Sequence, residues 1–151
     1  MLKYAMSLAA LLVLAGCASS AQSSGDADKL QIQLAQLDTP GASNLYYFAG
    51  PINVRYQLSI TNPTSDTYTL RRIELRTTSP GAYSLHTPPS SITAVIPPGK
   101  TTVVNLSAWA RSSGSYLRAE EPVTIQGTAY LDGPHGPFAK IFTQMLTQFG
   151  S

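Results

Sequence analysis

The sequence predicts an all-β domain, an antiparallel sandwich of about seven strands. Three observations predict it. Apolar and polar residues alternate with a period of two through most of the chain. Asn, Pro and Gly clusters interrupt that alternation at short intervals. The spacing between the interruptions suits hairpins.

The elements follow in order. From Lys29, "LQIQLAQL" puts Leu30, Ile32 and Leu34 on one face and Gln31 and Gln33 on the other. From Asn53, "VRYQLSIT" sends Val54, Tyr56, Leu58 and Ile60 one way and Arg55, Gln57, Ser59 and Thr61 the other. Such alternation marks a half-buried strand. Asn62-Pro63-Thr64 ends it, because Pro cannot donate to a ladder. In Tyr68-"TLRRIELRTT" the phase breaks, with Tyr68 and Leu70 out of step with Ile73 and Leu75. One extra residue at Arg71-Arg72 restores the phase, which predicts a β-bulge there. Those arginines read either as an anion-binding pair or as a solvated edge.

Ile92–Ile96 is a short strand, and Pro97-Pro98-Gly99-Lys100 turns it back with Gly99 at the positive-φ position of a type II turn. Thr102, Val104, Leu106 and Ala108 alternate next, then Val123, Ile125, Gly127, Ala129 and Leu131. Residues 132–137, DGPHGP, read as a hairpin loop. In the final run Phe138, Phe142 and Leu146 oppose Ile141, Met145 and Phe149; it also fits a short helix, but hairpin spacing favours a strand. Strands of this number and length indicate an immunoglobulin-like β-sandwich over residues 30–151.

The stretches "LSITNPTSDTYTLRRIEL", "IPPGKTTVVNLSAW" and "VTIQGTAYL" resemble the layout of late-embryogenesis-abundant type 14 β-sandwich domains, across Asn53 to Leu131. The insertion "TSPGAYSLHTPPSS" departs from that family's shorter spacing. The resemblance implies a sandwich fold and brings no catalytic residues.

Ahead of this domain, Lys3 precedes an apolar run from Tyr4 to Ala15 that ends in Leu14-Ala15-Gly16-Cys17. A bilayer span needs about 20 apolar residues, so this shorter run reads as a signal peptide over residues 1–16. Cys17 is the sole cysteine. The four residues resemble the lipobox of bacterial lipoproteins, which implies cleavage before Cys17, a diacylglycerol thioether and an N-acyl chain such as palmitate. Thiolate nucleophilicity suits that modification. Two or more chains anchor firmly where one holds marginally. Ala18 and Ser19 follow Cys17, with no Asp to retain the protein in the inner membrane. The resemblance then implies the outer membrane, facing the periplasm. Residues 17–29, rich in Ser, Ala and Asp, read as a tether.

Net charge is +2 with 12% charged residues, and the arginines are dispersed, so a nucleic-acid partner is not expected. No serine elbow or phosphate-binding loop is present. His86 and His135 are the only histidines; with Asp132 they form a site only if distant loops converge. Glu120 and Glu121 are adjacent, and on a strand they face apart. The expectation is a non-enzymatic module with no cofactor beyond the covalent lipid. Its partners are the membrane, through that lipid, and an envelope protein; the alternative is a small ligand, glycan or lipid. Candidate partner-binding residues are Tyr46, Tyr47, Trp109 and Tyr116 in aromatic loop segments, with Arg71 and Arg72. The loop aromatics Tyr46, Phe48 and Trp109 read equally as plugs for the ends of the core.

Overall fold

A computed structural model describes residues 27–38, 50–79, 81–114 and 121–147. Cys17 and its lipobox, Tyr46, Tyr47, Phe48, Tyr116, Glu120 and Phe149 lie outside the described residues.

Two four-stranded antiparallel sheets form an immunoglobulin-like sandwich. After a 3₁₀ turn at Ala27–Lys29, the strands are β1 (Gln31–Asp38), β2 (Pro51–Thr61), β3 (Tyr68–Ser79), β4 (Tyr83–Leu85), β5 (Ser90–Ile96), β6 (Thr101–Ser112), β7 (Val123–Gly133) and β8 (Gly136–Leu146). One sheet has the order β1-β2-β6-β4 and the other β5-β3-β7-β8. The chain therefore changes sheets at each step from β2 to β7.

The period-two pattern becomes burial. Val54, Tyr56, Leu58 and Ile60 of β2 are fully buried, and they face Leu70, Ile73 and Leu75 of β3 and Val123, Ile125 and Leu131 of β7 within one core. β8 shows the same logic in weaker form. Phe138 and Phe142 pack against the core and Leu146 is buried, while Ile141 and Met145 face outward. Phe142 lies opposite Gly127 in register, and its ring occupies the space a Cβ there would need. The ring takes the place of the missing side chain, as in aromatic rescue of a strand glycine.

Four features differ from the sequence reading. An eighth strand, β4, forms inside the Pro- and Ser-rich insertion, pairing Tyr83, Ser84 and Leu85 with Ser112, Arg111 and Ala110. Three residues are too few for alternation to declare a strand; the free edge of β6 recruits them. β6 itself runs to Ser112, beyond the alternation read up to Ala108, so Trp109 is a strand residue and not a loop residue. Small buried Ala108, Ala110 and Ser112 continue its inward phase. β5 begins at Ser90, earlier than Ile92. The β7–β8 hairpin is tighter than a six-residue loop, since Asp132 pairs with Pro137 and Gly133 with Gly136. Gly136 makes that return at φ 111°.

Polar groups inside the sandwich are satisfied in two places. The Tyr56 hydroxyl donates to Tyr83 at 2.9 Å, and the Tyr83 hydroxyl donates to Gln36 Oε1 at 2.7 Å, which links β2, β4 and β1. Burial, then the neighbouring Tyr83, raises the Tyr56 phenol far above its ordinary value. Just past the C-terminal end of β2, Asn62 is fully buried. Its Nδ2 donates to the carbonyls of Asp66, Ile96 and Pro97, and its Oδ1 accepts from the Thr64 amide and hydroxyl. Gly99 adopts φ 63° in the adjoining turn, closed by the Lys100 amide donating to Pro97 at 3.3 Å.

Candidate functional sites

The phase break in β3 is a β-bulge. Register shifts between Leu70 and Arg72 against both β5 and β7. Arg71 and Arg72 are consequently both exposed, between buried Leu70 and buried Ile73. In a regular strand the two side chains would leave opposite faces; the extra residue puts both on the outer face of the sheet.

Each guanidinium then meets a residue of β7. Arg71 Nε donates to Asp132 Oδ2 at 2.7 Å. Both side chains are about half exposed, so this pair contributes at most about 1 kcal/mol. Arg72 lies over the Tyr130 ring with Cζ 4.0 Å from the centroid, a cation–π contact. The Tyr130 hydroxyl donates to Glu74 at 3.5 Å, near the limit of a hydrogen bond.

A shallow, open recess of about 500 Å³ lies beside these residues. Arg71, Arg72, Ser91, Tyr130, Asp132 and Phe138 line it, with Leu131 and Pro137. All four strands of this sheet contribute. Phe138 is set edge-on against Tyr68, with centroids 5.8 Å apart and planes at 83°. Such T-shaped pairs favour a fixed ring position.

The second candidate is Trp109, on the outer face of the other sheet. It is 68% exposed, which excludes a core-plugging role. Its register partner is Asn53, and Ser107 Oγ donates to Asn53 Oδ1 at 2.7 Å beside it. Along β2 and β6 the same outward phase carries Arg55, Gln57, Asn105 and Arg111. On β6 two large hydrophobics, Val103 and Trp109, stand exposed on this face among hydrogen-bonding side chains. Trp109 and the Arg71-Arg72 pair belong to different sheets, and the structure does not bring them together.

His86 bridges to Arg76 at the end of β4, and Asp132 is engaged by Arg71. Among the described residues no group of three or more His, Cys, Asp or Glu could hold a metal. The sequence reading missed Tyr130 as a partner of Arg72 and placed Asp132 in a loop. Their shared outward phase was visible, but the pairing of β7 with β3 was not.

No family model and no curated protein matches the chain. Solved structures do. A Northeast Structural Genomics Consortium target superposes with a TM-score of 0.54 at 12% identity, over 81% of this chain and 87% of that one. A Bordetella pertussis protein bearing the name ApaA gives 0.46 at 13% identity, over 81% and 94%. A FixG-related protein from Vibrio parahaemolyticus gives 0.40 at 13% identity, over 79% and 95%. At such identities likeness speaks to fold alone, and the first of these structures shares the sandwich.

Proposed function

We propose that the protein is a lipid-anchored, non-enzymatic lipoprotein of the bacterial envelope that acts as a protein-interaction module of an envelope complex. The lipobox-like Leu14-Ala15-Gly16-Cys17, behind a charged start and an apolar run, supports the anchor, and Ala18 with Ser19 after it supports the outer-membrane address. The observation that carries the interaction role is Trp109. A side chain of that size left 68% exposed on a regular strand contributes nothing to the core. Exposed Trp flanked by Arg is the composition of interface anchors.

Crosslinking in the native cell, then capture of the tagged protein, tests the reading with three forms: unchanged, Cys17→Ser and Trp109→Ala. A discrete envelope protein captured by the first two and lost with Trp109→Ala supports the module. Capture that survives Trp109→Ala rejects this face. Absence of lipid on the unchanged protein by mass spectrometry rejects the anchor.

A further inference from the structure

The geometry points to an oxyanion-binding site in the recess at the β3 bulge, taking a carboxylate or phosphate ester on a small, partly apolar body. It stands apart from the envelope reading, because it uses the opposite sheet from Trp109 and needs no lipid anchor.

Three features argue for it. First, Arg72 is oriented but not satisfied. Its guanidinium face rests on Tyr130 at 4.0 Å, and among the described residues it has no hydrogen-bond partner. Stacking covers the face of the guanidinium and leaves its in-plane N–H edges available, the geometry that grips an oxyanion with two parallel hydrogen bonds. Second, Arg71 stands next to it on the same face and, among the described residues, uses only Nε, on Asp132, so its terminal nitrogens remain. Two guanidiniums and one carboxylate line the recess, leaving a positive excess. Glu74 accepts the Tyr130 hydroxyl but does not line the recess. Third, the remaining walls are Leu131, Pro137 and Phe138 with Ser91. A volume of about 500 Å³ lies within the range of small-ligand sites.

The bulge is what makes this possible. Without the extra residue, one arginine would turn toward the core and only one would face the recess.

The test follows side-chain Nε–H resonances of the purified full chain, labelled with ¹⁵N-arginine, during titration at constant ionic strength. The probes are inorganic phosphate and acetate, with chloride as the reference ion. The expected result is a saturable shift at Arg71 and Arg72, with at least tenfold weaker binding, read at the remaining Arg71 Nε–H, in Arg72→Gln and also in Arg72→Lys, which keeps the charge but loses the fork. Lys100→Gln, in the β5–β6 turn and outside the recess lining, should leave it unchanged. Saturation by phosphate alone assigns the phosphate class, and by acetate alone the carboxylate class. Linear shifts with both ions, equal shifts with chloride, undiminished binding in Arg72→Lys, or equal loss in Lys100→Gln would overturn the site. Amide spectra of each variant identify any that fails to fold, and Tyr130→Leu then replaces it, with the same loss expected.

Discussion

Asn62 Nδ2 donates to the carbonyl oxygen of Ile96 at 3.2 Å, tying the end of β2 to the end of β5 across 34 residues of sequence. The same amide reaches Pro97 and Asp66, and the Asn62 backbone N–H donates to Lys100 at 2.9 Å. One buried side chain thus joins the β2–β3 connection to the β5–β6 turn. The Asn-Pro pair does more than stop a strand. Pro63 ends the ladder, and Asn62 supplies hydrogen bonds to backbone groups that the two connections leave unpaired.

Removing that amide strands the buried Ile96 carbonyl and the part-buried carbonyls of Asp66 and Pro97. Asn62→Ala should destabilise the fold by about 3 kcal/mol, since each stranded buried group costs about 1–3 kcal/mol. Asn62→Asp should be no better, because a carboxylate would face three carbonyl oxygens with no donor to offer. Urea denaturation measures both, and a loss below about 0.5 kcal/mol, the range of ordinary surface changes, would contradict the role.

Gly127 is required by Phe142. A methyl group at this position overlaps the ring lying on it, so Gly127→Ala should cost about 1–3 kcal/mol through overpacking. Phe142→Leu vacates part of that space. The double variant should therefore lose less than the sum of the singles, and a thermodynamic cycle reads that coupling. Additive losses would show that the ring is not what the methyl meets.

Tyr56 makes stability depend on alkaline pH. Its folded-state value is raised above the ordinary 10.0, so the native state keeps its proton where the unfolded chain releases it. Stability should be flat below about pH 10 from this group and fall above it by about 1.4 kcal/mol per pH unit. Tyr56→Phe should remove that slope, at a cost of about 0.5–1.5 kcal/mol at neutral pH for the lost bond to Tyr83. Chemical denaturation between pH 8 and about pH 11 checks the difference between the two proteins.

Trp109→Ala should leave the melting transition within about 0.5 kcal/mol of the unchanged protein, as expected for a surface substitution. Binding is the property expected to fall, by tenfold or more if the indole anchors a partner. A large loss of stability would return Trp109 to the core, against its exposure.

Patterns along the chain determined the strands, because side-chain direction in a strand depends only on parity. The alternation in β2 and β7 became two rows of the core, and the phase break at Arg71-Arg72 marked the bulge from local evidence alone. Pro98-Gly99 specified its turn for the same reason, as the required φ is a property of one residue. Partnership is different in kind. Arg71 meets Asp132 across 61 residues, and Tyr56 meets Tyr83 across 27. Such contacts depend on which strands become neighbours, and alternation carries no record of that. Trp109 shows the same limit from the other side. Its neighbours in the sequence could suit a loop, a core plug or an exposed face, and only the extension of β6 alongside β4, with Ala110 and Ser112 turned inward, set the indole outward.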